Sequence, residues 1–103
     1  MSGIEKLAAV IAARASASPD SSYTAKLLQA GIDKCAKKFG EEAVELVLAA
    51  ASRDKAHTAQ EAADVIYHLL VLLRACDVSL ADVEKVLAAR EALSGLEEKS
   101  RRG

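Results

Sequence analysis

Five acidic residues lie in two short clusters among apolar residues, and their carboxylates are the groups in this sequence best suited to hold a metal ion. The first cluster has the pattern E-E-x-x-E and the second has the pattern E-x-x-D. The acids are Glu41, Glu42, Glu45, Glu61 and Asp64. Residues three or four positions apart share one face of a helix, so each cluster directs carboxylates to one side. The repulsion between these like charges increases where apolar neighbours exclude water.

A divalent cation is the simplest group that would neutralise such crowded carboxylates. Oxygen ligands alone favour Mg²⁺ or Mn²⁺ over zinc, so we expect Mg²⁺ as the cofactor. Each acid also has a simpler interpretation. Glu61 follows Thr58 at the spacing of a capping box, in which it would bond to the helix start instead of a metal. Glu42 lies four residues after Lys38, and Glu41 lies near the same lysine, so both acids fit solvated ion pairs. Because both clusters occur on neighbouring, mostly apolar helices, we favour the metal site.

Three lysines precede the first acidic cluster on the same predicted helix. On a helical wheel Lys34 and Lys38 fall within about 60° of Glu41 and Glu45. Together with Lys37, these cations would bind the phosphates of a substrate whose remaining oxygens contact the metal. The alternative is a surface on which lysines and glutamates simply alternate.

The elements that must position these side chains are helices. Apolar residues recur at helical spacing along nearly the whole chain, which predicts an all-α fold of four to five helices. The predicted helices cover about 4–15, 24–30, 33–53, 58–76 and 79–95, with 16–22 as a loop. Gly31 is a natural residue to end the second helix. Asp33, Thr58 and Ser79 are the predicted N-caps of the three that follow.

The helix predicted over 58–76 is apolar on nearly every side, with Val65, Ile66 and the run 69–73 around its circumference. A helix of this kind must be buried on all sides. Four other helices in 103 residues can hardly enclose it. We therefore expect a homodimer or homotetramer that completes the bundle. Residues 1–95 are predicted to form one catalytic domain and residues 96–103 a charged C-terminal tail.

The overall composition excludes several classes of partner. Lys and Arg number 14 against 15 Asp and Glu, a net charge of −1, which disfavours nucleic-acid and membrane-surface binding. The longest strongly apolar stretch, 65–73, is shorter than the roughly 20 residues that span a bilayer. Cys35 and Cys76 are isolated thiols that suit a reducing compartment, so we expect a cytoplasmic protein.

His68 lies one turn after Asp64 on the most apolar helix. We expect a buried core histidine and not a metal ligand. The Glu-x-x-His pattern on two helices, which is typical of di-iron bundles, is absent from the sequence, and its absence disfavours a redox metal.

The acid-bearing segments resemble the phosphoribosyl-ATP pyrophosphatase family, within the all-α nucleoside-triphosphate pyrophosphohydrolases. The resemblance extends over nearly the full chain. It depends on the segments 37–45, with the sequence KKFGEEAVE, and 61–70, with the sequence EAADVIYHLL. Further similarity lies in 22–28, 67–73 and 94–99. One departure is Gly31-Ile32, where many members carry Gly-Pro.

The resemblance implies Mg²⁺-dependent hydrolysis of phosphoribosyl-ATP to phosphoribosyl-AMP and pyrophosphate, the second step of histidine biosynthesis. We expect Glu41, Glu45 and Asp64 as metal ligands. Glu42 and Glu61 are then candidates for a further ligand or for the general base. The expected substrate contacts are Lys34, Lys37, Lys38, Ser22, Tyr23 and Thr24, although Thr24 also fits an N-cap.

Two alternatives from the sequence are a house-cleaning pyrophosphohydrolase of the same superfamily and a non-catalytic helical interaction module. The first would keep the acidic patterns and act on free nucleotides, since the patterns are shared throughout the superfamily. The second would leave the acids separately solvated.

Overall fold

The computed structural model describes residues 2–92, and these residues form five helices without a strand. The all-α fold predicted from hydrophobic spacing is thereby confirmed. The helices are α1 (Gly3–Arg14), α2 (Tyr23–Ala30), α3 (Ile32–Ala51), α4 (Lys55–Ala75) and α5 (Leu80–Glu91). The predicted tail, and the predicted end of the last helix at Ser94, lie outside the described residues. None of the described helices is both long enough and apolar enough to cross a membrane.

A hairpin of α3 and α4 forms the centre of the molecule, and its two helices have the most extensive contact of any pair. Only residues 52–54 connect them, so the helices run antiparallel. The Ser52 hydroxyl donates to the Ala49 carbonyl at 2.6 Å, and Arg53 reverses the chain with φ 67°. Because of this sharp turn, the acidic pattern of α3 lies beside the acidic pattern of α4.

Helix α4 begins one turn earlier than predicted, and the proposed Thr58–Glu61 capping box is wrong. Asp54 is the N-cap, and its Oδ1 accepts from the His57 amide at 3.1 Å. The Thr58 hydroxyl instead donates to the Asp54 carbonyl at 2.7 Å. Asp54 caps as effectively as a threonine and adds a further helical turn, which explains the earlier start. The side chain of Glu61 is therefore free for other contacts.

Two other predicted caps are also displaced. Ser22 and not Thr24 caps α2, since the Ser22 hydroxyl accepts from the Ala25 amide at 3.2 Å. Asp33 lies in the first turn of α3, and the N-cap of that helix is Gly31, which makes no side-chain cap bond. Gly31, with φ 98°, also ends α2 as predicted, so α2 and α3 meet at this one residue.

Helices α1 and α2 pack on one face of the hairpin and enclose a small core. Its buried members are Ile11, Leu27, Cys35, Leu70 and Val71. Val71 is fully buried in the C-terminal part of α4, as expected for the most apolar segment of this helix. The α3–α4 hairpin therefore has one face covered by α1 and α2.

Part of helix α3 presents apolar side chains to solvent. Val44, Val47 and Leu48 are 57%, 65% and 59% exposed, and we call them the α3 apolar surface. They follow one another at helical spacing on one side of α3. The sequence analysis expected uncovered apolar side chains on α4. In the structure the most exposed ones lie on α3, whereas Leu69 of α4 is 37% exposed.

Candidate functional site

Three carboxylates from the two helices of the hairpin meet at one point. One oxygen each from Glu42 of α3 and from Glu61 and Asp64 of α4 lies within 4.8 Å of the other two. Glu61 and Asp64 are three residues apart and therefore share a face of α4. The antiparallel turn brings Glu42 opposite to them. These three residues form the acidic cluster of the described chain, and their spacing suits a single cation bound by oxygen atoms.

The acids that the sequence favoured as ligands are only partly in this cluster. Glu41 is half exposed, and its Oε1 lies 3.9 Å from Lys38 Nζ. Glu45 is exposed and lies outside the cluster. Successive residues of a helix are turned by about 100°, so Glu41 and Glu42 cannot face α4 together. The structure therefore groups Glu42 and Glu61 with Asp64, and it places Glu41 nearer to solvent. Of the two ion pairs considered as alternatives to a metal site, the structure contains Lys38–Glu41.

His57 is a neighbour of the acidic cluster that the sequence analysis missed. Its Nε2 donates to Glu61 Oε1 at 3.2 Å, and the Glu61 side chain is only 17% exposed. The two residues lie four positions apart on one helix, a spacing that could have identified the contact. The imidazole restricts the orientation of the Glu61 carboxylate.

His68 is buried, as the sequence predicts, and it faces the acidic cluster. Its Nε2 lies 4.0 Å from Glu42 Oε1. Burial lowers the pKa of His68, and the Lys38 charge acts in the same direction. The charges of Glu42 and Asp64 partly offset this effect. The lowered pKa favours the neutral imidazole, which has one N–H group and one acceptor nitrogen.

Aromatic side chains connect His68 to α2. The Tyr67 ring meets the imidazole edge-on with centroids 5.0 Å apart, and the Tyr23 ring does so at 6.2 Å. Tyr23 and Tyr67 are stacked at 6.5 Å. The Tyr67 hydroxyl is hydrogen-bonded to the buried Thr24 hydroxyl at 2.5 Å. Thr24 thus supports the aromatic group from inside α2.

A cleft of about 240 Å³ opens between α2 and α3. We call it the tyrosine–lysine cleft, and its lining is Tyr23, Lys26, Leu27, Ala30, Lys34 and Lys38. Lys34 and Lys38 bring positive charge to its wall, and Tyr23, which is 52% exposed, provides an accessible ring. Lys37 is exposed and is not part of the lining, while Ser22 is buried and occupied in capping α2.

The fold and site define an all-α protein in which a helical hairpin gathers carboxylates beside a cationic cleft. The model of the phosphoribosyl-ATP pyrophosphohydrolase family matches residues 4–91, and the chain belongs to this family. The resemblance derived from the acidic motifs is thereby confirmed.

Relatives named phosphoribosyl-ATP pyrophosphatase match over essentially their whole length. One from Cereibacter sphaeroides is 59% identical over 103 residues, with both chains fully covered. One from Dinoroseobacter shibae is 57% identical over 102 residues, covering 99% of this chain and 100% of the relative. One from Paracoccus denitrificans is 56% identical over 100 residues, covering 97% and 93%.

Proposed function

We propose that this protein hydrolyses phosphoribosyl-ATP to phosphoribosyl-AMP and pyrophosphate, the second step of histidine biosynthesis. Membership of the phosphoribosyl-ATP pyrophosphohydrolase family supports the substrate. The observation that carries the chemistry is the meeting of Glu42, Glu61 and Asp64 within 4.8 Å. A non-catalytic module would have no need for three acids crowded in this way, because their repulsion opposes folding.

The donor set of the acidic cluster fits Mg²⁺. It consists of carboxylate oxygens alone, and oxygen ligands are what this hard cation prefers. Glu42, Glu61 and Asp64 would hold the ion, which when bound polarises a phosphoanhydride and offsets its charge. Glu41 and Glu45 have a lesser part in this proposal, because they lie outside the cluster.

One of the two carboxylates Glu42 and Glu61 also acts as the general base in this proposal. Their side chains are 22% and 17% exposed and are less accessible than most carboxylates on the surface. A carboxylate at this place takes a proton from the attacking water as the water oxygen bonds to phosphorus and the bond to pyrophosphate breaks. The contact from His57 keeps Glu61 in one orientation while this happens.

The tyrosine–lysine cleft accommodates the rest of the substrate. Lys34 and Lys38 stabilise the negative charge that develops on the departing pyrophosphate, and Lys37 adds positive potential from outside the cleft. Tyr23 offers its exposed ring to the base or ribose. Ser22 and Thr24 act by holding this part of α2 in place, since both hydroxyls are already bonded within the protein.

The working form in this proposal is a homodimer or homotetramer in the cytoplasm. The α3 apolar surface supports association, because its three large side chains remain more than half exposed in a single chain. Two free cysteines, one of them exposed, suit a reducing compartment.

A substrate panel with and without Mg²⁺ tests the proposed activity. We expect pyrophosphate release from phosphoribosyl-ATP only when Mg²⁺ is present, and little from ATP or dUTP. Comparable turnover of dUTP would instead show a house-cleaning enzyme. If no nucleotide is hydrolysed and Mn²⁺ does not change the melting temperature, the protein is a non-catalytic module.

A further inference from the structure

The imidazole of His68 is buried beside the acidic cluster, and the proposed reaction gives it no role. Glu61, Asp64 and His68 follow one another at spacings of three and four along α4, so all three face α3. The side chain of His68 is 8% exposed, and its Nε2 lies 4.0 Å from Glu42 Oε1. Of these three side chains, the imidazole is the one that can donate a hydrogen bond to Glu42.

Two tyrosines contact the ring of His68. Tyr67 and Tyr23 each contact it edge-on, with centroid distances of 5.0 Å and 6.2 Å. Tyr67 is itself fixed by the hydrogen bond to Thr24. An imidazole confined in this way has little freedom, whereas Glu42 on α3 has three rotatable side-chain bonds. In a contact between the two, His68 therefore orients the more flexible side chain of Glu42.

We propose that His68 is a positioning residue for the metal centre: its Nε2–H group holds one oxygen of Glu42, so that the other oxygen is presented toward Glu61 and Asp64. This inference rests on the proposed metal site. The separation of 4.0 Å is longer than a hydrogen bond, and a small rotation of the Glu42 side chain closes it. A carboxylate ligand oriented by an outer hydrogen bond loses less conformational entropy when a cation binds.

The test compares three full-length chains: the wild type, His68→Phe and His68→Gln. Phenylalanine keeps the buried ring and removes the donor, whereas the amide of glutamine restores a donor near the position of Nε2. The probe is Mn²⁺ alone, and its affinity is obtained from the rise in melting temperature with metal concentration. We expect His68→Phe to weaken Mn²⁺ binding about tenfold. His68→Gln should remain within about threefold of the wild type.

A Glu42→Gln background shows whether His68 acts through Glu42. In that background the added His68→Phe change should alter Mn²⁺ affinity less than about twofold, because the carboxylate that it orients is gone. If His68→Phe loses helical content by circular dichroism, His68→Met replaces it as the variant without a donor. Activity gives a second measurement: the Mg²⁺ concentration for half-maximal rate should rise, while kcat at saturating Mg²⁺ is largely retained.

Three results would overturn this role. The first is that His68→Phe binds Mn²⁺ as tightly as the wild type. The second is that His68→Gln weakens Mn²⁺ binding as much as His68→Phe does. The third is that His68→Phe weakens Mn²⁺ binding by the same factor in the Glu42→Gln background. A wild-type chain that binds no Mn²⁺ would overturn the proposed metal site and this inference with it. A wild-type chain that binds Mn²⁺ normally, with His68→Phe unchanged, would contradict the inference alone.

Discussion

At the scale of single residues, the site depends on which acids the two helices turn toward each other. The patterns E-E-x-x-E and E-x-x-D were sufficient to predict that carboxylates of α3 and α4 lie close together, as Glu42, Glu61 and Asp64 do. They were not sufficient to choose among Glu41, Glu42 and Glu45, because the choice depends on how α3 is rotated against α4. That rotation is determined by packing of residues such as Cys35 and Leu70, which are distant in sequence.

Neutralising Asp64 should abolish most of the activity. Asp64→Asn keeps the size of the side chain and removes the charge, so we expect kcat to fall at least about a hundredfold while the fold is retained. The measurement is pyrophosphate release from phosphoribosyl-ATP at saturating Mg²⁺, with circular dichroism for the fold. Glu84→Gln, on the exposed surface of α5, is the matched control and should leave the rate unchanged. Full activity in Asp64→Asn would show that this acid is not needed.

The same substitution should stabilise the metal-free protein. With no cation present, Asp64→Asn relieves repulsion from Glu42 and Glu61, and we expect a gain of about 0.5 to 1 kcal/mol. Thermal unfolding in a chelator measures this as a rise of several degrees (roughly 4 °C) in Tm. Glu45→Gln, outside the cluster, should change stability by less than about 0.5 kcal/mol. The reverse order of the two variants would mean that the crowded acids are elsewhere.

At the scale of elements, hydrophobic spacing identified all five helices, while their first residues were harder to predict. Several residues near each helix start can cap it, and the sequence offers both Asp54 and Thr58 for α4. In the structure Asp54 is the N-cap, so α4 begins directly after the turn at 52–54. In the same way, Ser22 is the N-cap of α2 and Gly31 is the N-cap of α3. The sequence pattern alone cannot decide which of these nearby residues becomes the N-cap, because the tight turn before α4 also affects that choice.

The cap of α4 can be tested directly. Asp54→Ala removes the acceptor of the His57 amide and should destabilise the protein by about 1 kcal/mol. Thr58→Ala, which the predicted capping box would have made equally harmful, should be neutral or slightly stabilising, since alanine favours helix interiors. Urea unfolding of the two variants beside the wild type is the measurement. Greater damage from Thr58→Ala would restore the capping box.

At the scale of the whole molecule, the five helices of residues 2–92 leave apolar surface that they do not cover themselves. The sequence analysis predicted this surplus from the composition of α4. Among the large apolar side chains of the described residues, those of the α3 apolar surface have the highest exposed fractions. A second copy packed on this surface would remove these side chains from water.

A charge placed on the α3 apolar surface should weaken association. Val47→Glu introduces a carboxylate at a side chain that is 65% exposed in one chain, so the fold should tolerate it. We expect light scattering at micromolar concentration to show a shift from the wild-type oligomer toward monomer. Val86→Glu on α5, at a valine that is 51% exposed, is the control and should leave the mass unchanged. A monomeric wild type would contradict the predicted oligomer.

The single glycine between α2 and α3 has a consequence for how this chain can vary in length. Adding one residue there would change the placement of α2, and with it Tyr23, relative to α3, because the two helices meet at this one non-helical residue. Lys34 and Lys38 would then no longer share a wall with that ring. Insertions between the two helices should therefore be poorly tolerated, whereas the loop residues 15–21 are not part of the cleft lining and should accept added residues more readily.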